Sequence, residues 1–292
     1  MDQHTQNPQK QPHLRLTTKS AFTRGSLLLT ALFVPSVVHG QTNGTWTQTT
    51  SGSAWSAPAN WADGLVADGA GAIADFSLLN LPTGIHQVLL DSNRTVGELR
   101  FGTSSPDTEG IWELEGTQVL TLSGGNPRIT TAVDAGLGSG ITLAGDGFTK
   151  AGPARLLLRN TTPSLTGIVR ISAGTLALGA GAGIGTGGFT LADGSTLRLD
   201  AAGQNAIGNG ITLEAGAHAT FSSANLTNGY GGSISGPSDA VLDVAGPISF
   251  GVTGSQQFGS FAGTVRVLSG SHLRFSATGQ GANGNGGTNT TF

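Results

Sequence analysis

Short runs in which apolar and polar residues alternate recur along most of the chain, and glycine-rich turns separate them. In one such run, Val169 and Ile171 face one side of an extended strand while Arg170 and Ser172 face the other. Proline, glycine, threonine and serine interrupt every stretch that has a helical period. The pattern predicts an all-β protein of many short strands, with inward pairs at Phe189/Leu191, Leu197/Leu199, Ile211/Leu213 and Val265/Val267.

These runs repeat at a regular spacing. GFTLADGSTLRL (Gly188–Leu199) returns 22 residues later as GITLEAGAHATF (Gly210–Phe221). A longer match joins SLTGIVRISAGTLAL (Ser164–Leu178) to SFAGTVRVLSGSHLRF (Ser260–Phe275). A period of about 20–25 residues with short strands is typical of a solenoid, whose rungs stack as parallel strands. We therefore expect a single-stranded parallel β-helix with glycine-rich turns.

A glycine-rich loop within this region raises the question of nucleotide binding. Gly183, Gly185 and Gly188 satisfy G-x-G-x-x-G, but the residues that follow alternate as a strand does. A dinucleotide loop must open a helix that receives the phosphates. The loop is therefore interpreted as the corner between two rungs, and no cofactor is expected.

Three of the four tryptophans lie close together near the start of the chain, at Trp46, Trp55 and Trp61. One interpretation is an aromatic platform that contacts a glycan. The other, which we favour, is a plug over the open end of the solenoid core, where apolar side chains would otherwise meet water.

The first forty residues have the pattern of an export signal. Four basic residues precede the apolar run Ser26–Val38, and the sequence around Gly40 predicts cleavage before Gln41. The alternative is an N-terminal membrane anchor. We assign residues 1–40 to a signal peptide, 41–80 to a tryptophan-rich cap with the first strands, and 81–292 to solenoid repeats.

Charge and cysteine content exclude several classes of function. After residue 40 the chain has ten basic and sixteen acidic side chains. Nucleic-acid binding calls for a basic stripe, which this sequence lacks, so no nucleic-acid partner is expected. The chain has no cysteine, and therefore neither disulfides nor thiolate metal ligands.

Candidate catalytic groups are scattered along the chain. Glu113 and Glu115 are the best same-strand carboxylate pair, although a solvated outward face opposite Trp112 and Leu114 is the favoured interpretation. Asp239 and Asp243 are too far apart along a strand for an acid and nucleophile pair, roughly 13 Å. The histidines after residue 40 lack the spacing of zinc ligands, and they are His86, His218 and His272.

Two arginines occupy the same place in the longer repeat, Arg170 in the first copy and Arg266 in the second. If both point outward, they form a sparse basic row suited to acidic glycans. The alternative is an echo of the repeat on a solvated face.

The segment Gly147–Leu178 resembles the autotransporter-associated β-strand repeat of large exported bacterial proteins. W-S-x-x-x-N-W at Trp55–Trp61 also resembles the start of such proteins. Pro153-Ala154 and Leu165 depart from the usual pattern. The positions that match the repeat in its two copies are Gly147, Lys150, Gly152, Leu156, Leu158, Gly167, Val169, Ile171, Gly174, Thr175 and Leu176, and then Gly263, Val265, Val267 and Gly270.

The resemblance implies a right-handed β-helical passenger, exported to the bacterial cell surface or outer membrane, or secreted. Its role would be structural or adhesive, without catalytic, cofactor or metal residues. Its partners would be surface glycans or the remainder of a longer exported chain, because the sequence ends without the membrane barrel of that family. The alternative is a glycan-processing or glycan-binding solenoid, in which ionisable side chains converge along the rod.

Overall fold

A computed structural model describes residues 40–105, 110–159, 164–179, 184–200, 207–225, 229–251, 258 and 260–276, and these belong to one compact unit. The proposed signal peptide lies outside the described residues, apart from Gly40. The strands, numbered in chain order, pair in parallel in four sheets. Two 3-10 helices, Pro58–Asn60 and Ala62–Gly64, are the helical segments within the described residues.

Two ten-stranded sheets run along the molecule. The strands of the first sheet are β1 (Gly44–Thr45), β3 (Ile73–Phe76), β6 (Glu98–Phe101), β9 (Arg128–Thr131), β12 (Phe148–Ala151), β15 (Val169–Ile171), β17 (Phe189–Leu191), β19 (Ile211–Leu213), β22 (Ile234–Gly236) and β25 (Ser260–Phe261). The strands of the second sheet are β2 (Ser53–Ala54), β4 (Gly84–Leu90), β7 (Gly110–Gly116), β10 (Ala135–Leu137), β13 (Arg155–Leu158), β16 (Thr175–Leu178), β18 (Thr196–Leu199), β20 (His218–Ser223), β23 (Val241–Ala245) and β26 (Thr264–Val267).

Two shorter sheets add a third side to parts of the coil. One contains β5 (Arg94–Val96), β8 (Val119–Leu122), β11 (Thr142–Gly145) and β14 (Ser164–Leu165). The other contains β21 (Gly229–Tyr230), β24 (Pro247–Gly251) and β27 (His272–Ser276). Because consecutive strands pass from sheet to sheet and return one rung further on, the chain forms a parallel β-solenoid. The all-β, β-helical prediction is confirmed.

The alternation of the sequence accounts for the core. In β15, Val169 and Ile171 are buried while Arg170 is only partly covered. Parallel pairing without slippage places equivalent residues directly above one another, so the apolar side chains form continuous columns. The clearest inward column of the second sheet contains, in order, Trp112, Ala135, Leu156, Leu176, Leu197, Phe221 and Val244.

Glycines allow the rungs to stack closely at the corners. Gly174 precedes β16 with a φ of 65°, which lies in the left-handed region that favours glycine. A Cβ atom there would lie 2.5 Å from the carbonyl oxygen of Gly152 and 2.6 Å from that of Pro153. The position therefore requires glycine both for its backbone conformation and for space.

The N-terminal end, residues 41–69, closes over the first rung. Thr42 and Asp68 exchange backbone hydrogen bonds of 2.8 and 3.0 Å, and Trp46 and Trp61 form an antiparallel bridge. Beneath this loop the indole rings of Trp46 and Trp61 meet edge to face, with centroids 5.0 Å apart. The loop covers the outer edge of β1, so the first sheet does not expose its first strand as a free edge.

The C-terminal end, β25 to β27 with Phe258, is more open. Val267 in β26 continues the inward column of the second sheet, because it pairs with Val244. Val244 is fully buried, whereas 42% of Val267 is exposed. Leu268, the next residue, is 38% exposed. The inward prediction for Val265 and Val267 therefore holds for their register but not for full burial.

Candidate functional site

The three tryptophans are part of the core. Trp46, Trp55 and Trp61 are 1%, 0% and 3% exposed, and their rings pack around Phe76. Each indole N–H donates to a backbone carbonyl: Trp46 to Gln48, Trp55 to Ala67 and Trp61 to Trp55. A glycan platform needs exposed ring faces, so these residues are not available for the glycan contact considered above. They fill the N-terminal end instead.

Ionisable side chains gather on the outer surface of the second sheet, which we call the charged face. It comprises Glu113 and Glu115 of β7, Asp134 before β10, Arg155 and Arg159 in and after β13, and Arg198 and Asp200 in and after β18. The residues lie far apart in sequence, and the register of the coil brings them together. Sequence reasoning identified the two glutamates but missed the five others, because their proximity depends on residues about one or two rungs away.

Arg155 and Arg159 bond to acids of other rungs, Arg159 on one side of β13 and Arg155 on both sides. Arg159 Nε lies 2.7 Å from Glu113 Oε1, across the intervening strand β10. Arg155 bonds both to Asp134, at 3.2 Å, and across β16 to Asp200, at 3.1 Å. Arg198 then bonds to Asp200 at 2.6 Å. The charges on this surface are therefore largely matched within the protein.

Small residues in β10 make room for this arrangement. The outward position paired with Glu113 is Gly136, and a Cβ atom there would lie 3.5 Å from Glu113 Oε1 and 3.6 Å from Arg159 Nε. A Cβ atom at Gly138 would overlap the Glu115 carboxylate. Because these glycines have no side chains, the carboxylate of Glu113 and the guanidinium group of Arg159 can meet across β10.

The two glutamates of the predicted pair have different surroundings. Glu113 is 6% exposed and bound to Arg159. The pKa of Glu115 is raised from its ordinary value, mainly by burial and then by the neighbouring Glu113, while Arg159 acts in the opposite direction. A carboxyl group with a raised pKa beside a second carboxylate is an arrangement used for acid–base chemistry on a glycosidic bond. Here one of them is already engaged by an arginine.

The two arginines that share a position in the sequence repeat do not share a position in the coil. Arg170 lies in β15 of the first sheet, whereas Arg266 lies in β26 of the second. The two arginines therefore do not form the basic row considered as one interpretation of the sequence, and the favoured interpretation is an echo of the repeat. Each arginine instead bonds to a carboxylate: Arg170 to Glu214 at 2.6 and 2.8 Å, and Arg266 to Asp243 at 2.7 and 2.8 Å.

His218 joins the second of these pairs. Its Nε2 lies 2.8 Å from Asp243 Oδ2 and 2.7 Å from Arg266 Nη2. Hydrogen bonds from Arg266, more than those from His218, lower the pKa of Asp243. The group spans β20, β23 and β26, so it connects the last three rungs of the second sheet.

Lys150, one of the repeat positions, has a structural role. It occupies an inward position of β12 between Ile129 and Ile171 and has no exposed surface. Its Nζ donates to the carbonyl oxygens of Ala151, Gly152 and Ala173 at 3.1, 2.8 and 2.9 Å. Burial lowers the pKa of the amine to about 8, while Asp134 acts in the opposite direction.

The remaining repeat positions lie in strands and corners. Leu156, Leu158, Val169, Ile171 and Leu176 are fully buried. Gly147 and Gly152 have φ values of 100° and 81° and precede and follow β12, and Gly270 has a φ of 76° after β26. At Gly167 and Gly263 an added Cβ atom would overlap backbone carbonyl oxygens, those of Asp146 and Ala240. All of these positions contribute to packing and turning.

The glycine-rich loop is a corner, as interpreted from the sequence. Its residues 180–183 lie outside the described part of the chain. β16 ends at Leu178 in the second sheet and β17 begins at Phe189 in the first, so the segment leads from one rung to the next. No helix follows it to receive a phosphate.

A comparison with protein-family models, with curated proteins and with solved structures finds no match for this chain. Among the described residues, no three His, Asp or Glu side chains are grouped closely enough to hold a metal ion. No helix in the described part of the chain has the length and apolarity to cross a membrane.

Proposed function

We propose that the chain is a non-catalytic, passenger-type rod of an exported bacterial protein, with a structural or adhesive role at the cell surface or in the medium. The observation that carries this proposal is the set of partners that the outward-facing charged side chains have. On both long sheets, arginines are bonded to carboxylates of other rungs rather than left free for a ligand. Such pairs hold successive rungs together, which suits a scaffold.

Export and display are tested with the full chain. When it is expressed in a Gram-negative host, we expect the mature protein to begin at Gln41 and to be degraded by protease added to intact cells or to the medium. Retention of the first forty residues inside the cell would contradict the proposal. A product that keeps them but reaches the membrane would favour the anchor.

A second candidate function is supported by the charged face. The pKa of Glu115 is raised, and Glu113 and Glu115 lie on one strand beside Gly136 and Gly138. This supports glycan processing or glycan binding as the alternative role. The discriminating measurement is release of reducing ends or unsaturated products from a panel of polysaccharides. We expect none; turnover that is lost in Glu115→Gln but kept in Glu98→Gln would establish the alternative.

A further inference from the structure

His86 is an unexpected residue in an apolar column. In β4 it pairs with Trp112, the first member of the inward column of the second sheet. The later members of this column are apolar, and those from β7 to β23 are buried. At the N-terminal end, a half-buried imidazole therefore takes the place of an aliphatic or aromatic side chain.

Both ring nitrogens of His86 face carbonyl oxygens. Nδ1 lies 2.9 Å from the oxygen of Thr49, and Nε2 lies 2.9 Å from the oxygen of Pro82. A carbonyl oxygen only accepts hydrogen bonds, and a neutral imidazole carries a single N–H. The neutral ring can donate to one of the two partners, whereas the protonated ring donates to both.

The groups around the ring do not offer another partner. The ring of Trp112 stands edge-on, with its centroid 6.1 Å away. Among the described residues, no carboxylate forms an ion pair with His86 within 4.0 Å. The nearest acids on the neighbouring elements are engaged or set apart: Asp91 bonds to Ser56, Glu113 bonds to Arg159, and Glu115 pairs in register with Leu89.

The two carbonyls belong to different parts of the N-terminal end. Thr49 lies between β1 and β2, and Pro82 lies in the loop that leads into β4. The segment around Thr49 is also held by other hydrogen bonds, among them Gln87 N–H to Ser51 Oγ and Trp46 Nε1–H to Gln48 O. Thr47 N–H donates to Asn60 O, Gly52 N–H donates to Gln87 O, and Ser51 Oγ bonds to Ile85 O.

We propose that protonation of His86 stabilises the N-terminal end. The imidazolium fastens the segment between β1 and β2 to the loop before β4, and loss of the proton frees one of the two carbonyls. The stabilisation from the second hydrogen bond is present when the ring is charged. It is lost when the ring gives up its proton, because the neutral ring has a single N–H to donate. A decrease in pH therefore stabilises the contact between these two segments.

The test is amide hydrogen exchange on the full chain, read at Thr47 and Gly52 as protection factors so that the intrinsic pH dependence of exchange cancels. Between about pH 8 and pH 5 we expect protection at these amides to rise roughly two- to fivefold, the effect of one additional exposed hydrogen bond to a charged group. Ala192, whose N–H donates to Ile171 O in the middle of the solenoid, is the internal reference.

Variants separate the effect of His86 protonation from general effects of pH on the protein. His86→Leu restores the apolar column and His86→Gln keeps a polar side chain that does not titrate, so both should abolish the rise. His272→Gln removes an exposed histidine at the other end and should leave it intact. The proposal is refuted if protection at Thr47 and Gly52 does not rise in the wild type, or if both His86 variants keep the same pH dependence.

Discussion

The first and the last described rungs of the solenoid are built alike, but their inward side chains are covered to different degrees. At the N-terminal end, Trp55 and Trp61 are 0% and 3% exposed, and a loop with two 3-10 helices covers the outer edge of β1. At the C-terminal end, Val267 occupies an inward position and is 42% exposed. Among the described rungs, the inward column is therefore best covered where side chains from outside the repeat pack against it.

The contrast also concerns the kind of interaction used. The N-terminal end depends on aromatic packing and on hydrogen bonds to main-chain carbonyls, with edge-to-face contacts between Trp55 and Trp61. The last rungs of the second sheet are joined at the surface by Asp243, His218 and Arg266. Buried aromatic area contributes much more to stability than exposed ion pairs. The two ends should therefore differ strongly in their tolerance of mutation.

The largest expected effect comes from removing an aromatic ring from the N-terminal end. Trp55→Ala leaves a large cavity beside Phe76 and removes the hydrogen bond to Ala67, and we expect it to lower the free energy of unfolding by about 3–5 kcal/mol. The matched change at the other end, Val267→Ala, should cost no more than about 1 kcal/mol. Urea unfolding followed by circular dichroism measures both, and equal losses would remove the distinction between the ends.

A pair of glycines gives the second comparison. A Cβ atom at Gly44 would lie 2.5 Å from Leu65 O and 2.6 Å from Trp61 Cε3, so Gly44→Ala must displace the loop and should cost about 2–3 kcal/mol. Gly270 has open space around its Cα atom and only an unfavourable φ of 76°, so Gly270→Ala should cost about 1 kcal/mol. Thermal unfolding of the two variants measures both losses of stability. A larger loss for Gly270→Ala than for Gly44→Ala would show that the backbone conformation costs more than the steric contact.

The smallest effect is expected from the ion pair of the C-terminal rungs. The pKa of Asp243 is lowered, chiefly by hydrogen bonds from Arg266. Its contribution to stability is therefore present above the ordinary pKa of an aspartate, and it is lost as the pH falls through the lowered value. Arg266→Met should be slightly less stable than the wild type at neutral pH and equal to it in acid.

Unfolding in urea at several pH values tests this sign, with Arg170→Met as the control in a rung that has neighbours on both sides. A difference between Arg266→Met and the wild type that grows on acidification would show that another group is responsible.

The fold could be predicted because its determinants are local and repeated. Alternation in runs such as Phe189–Leu191 fixes which side chains face inward, and the 22-residue spacing of Gly188 and Gly210 agrees with the pairing of β17 with β19. The 22-residue spacing does not hold for the next pair of strands, β18 and β20. Thr196 pairs with Thr220, two residues beyond the predicted partner, because β20 begins with two additional residues, His218 and Ala219.

The charges could not be placed in this way. Arg170 and Arg266 have similar neighbours in sequence, yet corners of unequal length carry them to different sheets. The pairing of Arg159 with Glu113 depends on the register of three strands and on the small residues of β10 between them. A repeat identifies which residues point outward, whereas the cumulative length of the corners determines which of them meet.

The burial of Lys150 has a chemical consequence. It is the only lysine after residue 40, and its amine is enclosed by three carbonyl oxygens within the coil. A folded chain that begins at Gln41 therefore offers acylating reagents its α-amino group but no lysine side chain. Cleavage by a lysine-specific protease likewise requires the rungs around β12 to separate. Within residues 41–292, acylation of Lys150 or cleavage beside it would therefore report that the rungs around β12 have separated.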